Sequence, residues 1–288
     1  MTRPIQRFLG AMLIGASTIL GTPIMAADVG TGAVDFSRLG DGSYKRAVEN
    51  GITLGIANDP PFTYQDSTTK EYDGIDVRIL KEITKRLGIH NLKWEIVQFD
   101  ALIPGLISKR WDAVVDNLHE NTKRLEVISF SGPSYWYGSA LAVAKGNPKN
   151  IHSWADLAGK SVGTIRGSIS QQLLEARKDL KELKLYTSNE AEFSDIIAGR
   201  LDAAMEDGLK IGQFIKNNPG VAMELASGYT PQPDEYGYAR YGIRKDDVDL
   251  NLAMSRALAE IRADGTLSKI VKDYGFTDRN LWYFPMAQ

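Results

Sequence analysis

The 288-residue chain contains no cysteine. That excludes disulfides, thiolate nucleophiles, cysteine-ligated zinc and a lipid anchored through cysteine at a processing site. Histidine is almost as scarce. His90, His119 and His152 stand far apart without metal-ligand spacing, so no metal site is expected, and no cofactor is called for. Neither sign of charge is in large excess: 34 lysines and arginines face 36 aspartates and glutamates, for a net charge of −2. Nothing here argues for nucleic acid or an anionic membrane surface as a partner. Also missing are a G-x-S-x-G nucleophile motif and a dinucleotide-binding glycine fingerprint.

Long apolar runs are absent too, except at the start. Arg3 and Arg7 precede an apolar stretch from Phe8 to Leu20, and Pro23-Ile24-Met25-Ala26 offers a small residue for cleavage. The stretch is too short and broken to span a bilayer, and residues 1–26 read as a secretory signal peptide cut after Ala26, or after Ala27 as the alternative. The exported chain then has 262 residues with 32 basic against 36 acidic side chains. Without an anchor it is expected to be free in the periplasm.

The rest alternates strand and helix patterns. Gly51 to Ala57 reads as a strand, broken by Asn58-Asp59-Pro60-Pro61-Phe62, since adjacent prolines cannot continue a ladder. Asp76 is placed as the N-cap of a helix carrying Val77, Ile79, Leu80, Ile83 and Leu87, with Gly88 as its stop. Strands over 92–97 and 112–115 bracket a short helix over 101–108, a βαβαβ unit that implies a parallel sheet. A strand over 139–143 then enters a Lys145-Gly146-Asn147-Pro148 turn, and the pattern repeats: strand 161–165, a helix capped by Ser168 with Gln171 closing a capping box and running to about Lys178, strand 183–186, a helix opened by Asn189 with Glu192, and strand 201–205 delivering Glu206 and Asp207. Both halves end in a strand that begins with Asp (Asp112, Asp202) and leads into polar residues, which favours two similar lobes over one continuous sheet. Helices after Asp246-Asp247 and from Thr266 to Tyr274 have no following strands and are expected to return to the first lobe. The resulting division is 27–135 with 241–288 as lobe 1 and 136–240 as lobe 2, with hinges near 135–139 and 236–240.

Among these segments, Trp111 to Pro133 carries the most chemistry. The strand Ala113-Val114-Val115 runs into Asp116, Asn117, His119, Glu120 and Asn121 and then reaches Arg124. A cation and hydrogen-bonding groups at the carboxyl end of a strand, where open α/β sheets hold ligands, suggest a receptor for a small anion or zwitterion.

In order and spacing, GIANDPPFTY, YDGIDVRILKEITKRLG, ALIPGLISKRWDAVV, Arg124 followed by FSGPSY, LAVAKGNP, DLAGKSVGTIRGS, IIAGRLDAAMED and IRADGTLSKIVKDYGF resemble the periplasmic substrate-binding proteins of polar amino-acid ABC importers, over essentially the whole exported chain. NDPPF, ALIPGLISKRWDA and KGNP look most like the branch that includes the ectoine-binding protein. The resemblance implies an α/β, two-lobed periplasmic-binding-protein fold of type II, with mainly parallel sheets flanked by helices and two hinge crossings. It implies a monomer that delivers a small zwitterion to a membrane ABC permease. By the same resemblance Arg124 forks onto the ligand carboxylate, as a guanidinium's parallel N–H donors suit it to do. Gly167, Ser168, Ile169 and Ser170 at a helix start face it from the other lobe, where the helix dipole favours an anion. Asp207 takes the ammonium, Asn117 and His119 line the site, Phe62 lies against the ligand and Asp59 meets an ammonium or hydroxyl. The family's threonine three residues before the arginine is here Asn121, and His119-Glu120 also departs from the pattern, which points away from a plain α-amino acid. Trp136 with Tyr135 and Tyr137 crowds the first hinge, and Arg166 faces either the cleft or solvent.

The same scaffold carries cyclohexadienyl- or arogenate-dehydratase-like enzymes and signalling receptors, with His119, Glu120, Glu206 and Asp207 as the acid–base candidates of the former. Lacking a nucleophile motif and a metal cluster, the sequence favours a binding protein over an enzyme.

Overall fold

The computed structural model describes residues 40–231 and 236–281, so the expected signal peptide lies outside the described residues. Two mixed sheets organise these residues, each built on three parallel strands. In the first lobe the parallel core is β4 (Leu92–Ile96), β1 (Ile52–Ile56) and β5 (Ala113–Leu118), and in the second it is β10 (Ala203–Asp207), β8 (Ser161–Ile165) and β9 (Glu182–Tyr186). Continuous burial along β5 and β8 is what central parallel strands covered on both faces require.

Antiparallel strands complete each sheet. β13 (Arg240–Ile243) and β6 (Ser129–Phe130) extend the first beyond β5, whereas β7 (Trp136–Ala144) and β11 (Met223–Leu225) extend the second beyond β10. The expected parallel order therefore holds for three strands per sheet, and the remainder arrive where the chain changes lobes and enters from the other end. It changes twice, between β6 and β7 and between β12 (Tyr236–Tyr238), which pairs with β7, and β13, which pairs with β5. The expected single extended run over 236–243 is thus two strands in two sheets. A small hairpin of β2 (Tyr64–Gln65) and β3 (Tyr72–Asp73) stands apart.

Helices cover both faces. In the first lobe α1 (Ser43–Asn50), α2 (Ile75–Arg86), α8 (Val248–Ala263) and α9 (Thr266–Lys272) pack together over Leu54, Ile79, Leu80, Ile83, Leu258 and Ile261. On the other face, α3 (Leu102–Ile107) closes on Trp111, whose indole N–H donates to the Leu102 carbonyl at 2.9 Å. Gly105 in α3 is required there: a Cβ would sit 1.9 Å from the Trp111 ring. In the second lobe α5 (Ile169–Ala176) covers one face, and α6 (Asn189–Ile197) and α7 (Gly208–Asn217) cover the other around Phe193, Ile196 and Ile211. α1, α7 and the short α4 (Thr122–Leu125) were not anticipated from periodicity.

Several polar residues hold positions other than those the sequence suggests. Asp76 does not cap α2, whose N-cap is Gly74. Its fully buried carboxylate instead accepts from the Asn117 N–H (2.7 Å), Tyr135 Oη (3.1 Å) and Tyr241 Oη (3.2 Å), tying α2 to the end of β5 and to both chain crossings. Burial pushes its pKa up to about 7. Ser188, not Asn189, caps α6, and Glu192 is buried with Asn189 Nδ2 donating to it at 3.1 Å. Ser168 does cap α5, accepting from the Gln171 N–H, while Gln171 Oε1 accepts from Gly167 N at 2.6 Å.

The internal repeat seen in the sequence has a hydrogen-bonded basis. Asp112 Oδ2 accepts from Thr53 N and Asp202 Oδ2 from Ser161 N, both at 2.9 Å, at the starts of equivalent strand pairs. At the other ends Asp116 Oδ2 accepts from Ala57 N (2.9 Å) and Glu206 Oε1 from Ile165 N (3.0 Å). A threonine hydroxyl supports each, Thr63 on Asp116 and Thr164 on Glu206.

Candidate ligand-binding cleft

The carboxyl ends of β1, β4 and β5 in one lobe and of β8, β9 and β10 in the other converge on a cavity of about 280 Å³. The lobes meet around it. Asn117 Nδ2 donates to Asp207 Oδ2 (3.1 Å), Arg124 Nη2 to the Gly167 carbonyl (2.9 Å) and Asn121 Nδ2 to Gln172 Oε1 (3.3 Å), and Lys210 Nζ lies 2.9 Å from Asp59 Oδ1.

Arg124 stands on α4, fixed by Asn121, the N-cap whose side chain accepts from the Arg124 N–H. Only 6% of Arg124 is exposed, and its guanidinium donates to two carbonyls, His119 O at 2.6 Å and Gly167 O at 2.9 Å. Among the described residues no carboxylate lies within ion-pair distance of it. A buried cation without a counter-anion is costly, and burial draws its pKa down to about 10. Arg124 lines the cavity together with Phe99, over whose ring the guanidinium carbon sits 5.9 Å from the centroid, and with Ser168, Ile169 and Ser170 at the start of α5.

Several carboxylates line the same cavity. Asp207, at the end of β10, is pushed up to about 7 by burial, with Lys210 opposing and the charges of Glu206 and Asp59 adding to the rise. Asp59, held by backbone pairing with Thr63, is buried and also raised, chiefly by desolvation, although Lys210 pulls it back. Lys210 projects from the first turn of α7 between Asp59, Glu206 Oε2 (3.0 Å) and Asp207 Oδ2 (3.6 Å). Burial alone lowers an ammonium's pKa, but the three carboxylates outweigh it and hold Lys210 well above the lysine range.

His119 lines the cavity as a neutral imidazole. Burial, then the charge of Arg124, drives its pKa down to about 3, and its Nε2 is buried without a hydrogen-bond partner among the described residues. Its ring lies 4.4 Å from that of Tyr137, whose hydroxyl donates to the Asn117 carbonyl at 2.5 Å.

Arg124, Asp207, Asn117, His119, Asp59, Ser168, Ile169 and Ser170 all line the cavity. Gly167 contributes its carbonyl to Arg124 from just behind the wall. Phe62 does not line it: fully buried, it stacks on Tyr135 at 6.2 Å and tilts against Tyr137 at 5.5 Å, so Tyr137 occupies the space between it and the cleft. Trp136 packs edge-on against Tyr238 outside the cavity, and Arg166 is exposed. Of the His119-Glu120-Asn121 triplet, only His119 reaches the cavity, since Glu120 pairs with Arg240 at 3.3 Å.

Phe99, Tyr137, Ser139, Glu190 and Lys210 also line the cavity and were not singled out as ligand contacts. Phe99 has a signal in the sequence, because it stands three residues beyond Ile96, the carboxyl end of a parallel strand. Lys210 has the i+4 relation to Glu206 that a helix starting after Asp207 creates. Among the described residues no cluster of His, Cys, Asp and Glu is placed to hold a metal, and no helix is long and apolar enough to cross a membrane.

The lysine/arginine/ornithine-binding periplasmic protein of Escherichia coli (strain K12) is 34% identical over 219 residues, 74% of this chain and 83% of that protein. The histidine-binding periplasmic protein of Salmonella typhimurium is 32% identical over 229 residues, covering 77% and 86%. Among solved structures, EhuB in complex with hydroxyectoine superposes with a TM-score of 0.76 at 26% identity, over 83% of this chain and 94% of EhuB, consistent with the ectoine-type resemblance. With two such lobes, a cleft at their strand ends and residues 52–277 matching the family model, the chain belongs to the bacterial extracellular solute-binding proteins, family 3.

Proposed function

We propose that this protein captures a zwitterionic amino acid or amino-acid derivative between its lobes in the periplasm and delivers it to a membrane ABC permease. The observation that carries the reading is Arg124: a buried guanidinium satisfied only by carbonyls, lining a cavity that the carboxylates of Asp59, Glu206 and Asp207 also line. A ligand carboxylate supplies the missing counter-anion by a forked, charge-assisted pair, with the start of α5 as a second anion-favouring element. The ligand ammonium lies at Asp207, and Tyr137, Phe99 and the neutral His119 frame its body. Ligands named for the relatives are amino acids and, for EhuB, hydroxyectoine, and both kinds combine a carboxylate with a cationic nitrogen. Residues 1–26 act as a cleaved export signal. Lobe 1 (27–135 and 241–288) and lobe 2 (136–240) close by bending near 135–139 and 236–240, with binding to both lobes favouring the closed form.

The test is a thermal-shift screen of the purified exported protein against free amino acids, ectoine, hydroxyectoine and betaines, followed by mass spectrometry of the recovered ligand. A stabilising zwitterion recovered unchanged is the expected result. No stabilisation by any of them, or turnover of prephenate or arogenate, refutes the reading.

A further inference from the structure

Lys210 does something in the cleft that ligand capture does not require. Its side chain is 8% exposed and its ammonium sits on carboxylates from both lobes, Asp59 of the first and Glu206 and Asp207 of the second. Glu206 is largely engaged: its Oε1 accepts from Ile165 N and Thr164 Oγ1 and its Oε2 from Lys210, with 4% of its side chain exposed. Asp59 is engaged by Lys210 at its Oδ1 and is 6% exposed. Asp207, with 18% of its side chain exposed against 8% for Asp59 and 4% for Glu206, presents the most surface of the trio, although Asn117 shares it. Glu190 also lines the cavity, on the first turn of α6.

We propose that Lys210 is a built-in counter-cation that fills the acidic half of the cleft and restricts the site to zwitterions with a single cationic group. The inference rests on the zwitterion reading given above and narrows its ligand class. One ammonium can lie beside Asp207, but a ligand with a second cation on its side chain brings that charge toward an ammonium already seated on Asp59 and Glu206. Like charges at close range in a partly desolvated cleft repel strongly, and such a juxtaposition is how a site rejects a competitor. The chain would thereby differ from the relative named for lysine, arginine and ornithine, whose ligands carry that second cation. Replacing Lys210 by an uncharged side chain leaves three carboxylates for a ligand to neutralise, and a dicationic amino acid does so better than a neutral one.

The test uses L-arginine and L-citrulline, which differ little in shape but carry a guanidinium and an uncharged ureido group. Their affinities are measured by calorimetry on the purified exported protein and on Lys210→Met. Because Lys210→Met removes the counter-charge of three carboxylates, Lys210→Met/Asp59→Asn is prepared alongside to lighten that load, and melting curves verify folding. The wild type should bind citrulline at least about tenfold more tightly than arginine, and the folded Lys210 variants should gain at least about tenfold for arginine. Equal affinity of the wild type for the pair, or no gain for arginine in either variant, overturns the counter-cation. If some other free zwitterion still binds the wild type, the general reading of the cleft survives that failure. If no amino acid or ectoine binds any of the proteins, both fall together.

Discussion

Arg124→Met removes the cation while keeping an unbranched side chain beside Phe99, and its effects on ligand affinity and on stability should part company. A ligand carboxylate paired with this guanidinium is buried and hydrogen-bonded, and truncating one partner of such a pair costs about 2–5 kcal/mol. At about 1.4 kcal/mol per factor of ten, that weakens binding by about 30-fold to about 4,000-fold. The fold itself loses two donors, those to His119 O and Gly167 O, at about 1 kcal/mol each. Against this, the variant no longer holds a desolvated cation without a carboxylate partner, a burden of several kcal/mol. The melting temperature without added ligand should therefore hold steady or rise, since 1 kcal/mol corresponds to about 2–4 °C in a protein of this size. Calorimetry with the strongest ligand from the screen, together with differential scanning of both proteins, measures the two halves. An affinity within about threefold of wild type would sink the assignment of Arg124 to the carboxylate. A fall in melting temperature of more than about 6 °C would show instead that Arg124 is chiefly a structural tie.

Four further outcomes follow from the buried charges and the packing. Asp207 and Asp76 are both held near 7 by burial, above the ordinary carboxylate value. Between the two values the folded protein keeps protons that the unfolded chain has released, so stability without ligand should fall as pH rises from about 4 through about 7, the reverse of a salt-bridged aspartate. A ligand ammonium favours ionised Asp207, so affinity for a zwitterion should rise about tenfold from about pH 6 to about pH 8, and a flat calorimetric profile would contradict this. Phe62→Leu should lower stability by about 1–2 kcal/mol while leaving ligand affinity within about twofold, and a tenfold loss of affinity would put Phe62 back against the ligand. Gly105→Ala forces a methyl into the Trp111 ring and should cost at least about 2 kcal/mol in a chemical denaturation curve despite alanine's better helix propensity.

Much of this architecture was legible because its signals are local. The paired aspartates Asp112 and Asp202 immediately precede equivalent strands and bond equivalent neighbours, so the repeat read from the chain is also a repeat of hydrogen bonds. Ser168 caps α5 for the reason its position suggests. Asp76 misled because a carboxylate ahead of an apolar stripe looks like a cap, whereas tertiary partners from Asn117, Tyr135 and Tyr241 claim it. Phe62 misled in a similar way: the loop carries it to the cleft region, but Tyr137, from a strand that enters much later in the chain, interposes itself. Lys210 escaped notice because its meaning depends on Asp59, brought close only when the two lobes meet.

Gly237 lies on β12, and a Cβ there would stand 2.8 Å from Cγ of the His119 ring. A residue of the chain crossing and a residue of the cavity wall thus share one volume, and neither can change size alone. In evolutionary terms the two sites are epistatic. A lineage that shrinks residue 119 to admit a bulkier ligand releases residue 237 to acquire a side chain, and that side chain then bars the return of histidine. Pairwise covariation of 119 and 237 across the family is the expected trace, and a change in ligand preference at this wall would be hard to reverse one substitution at a time.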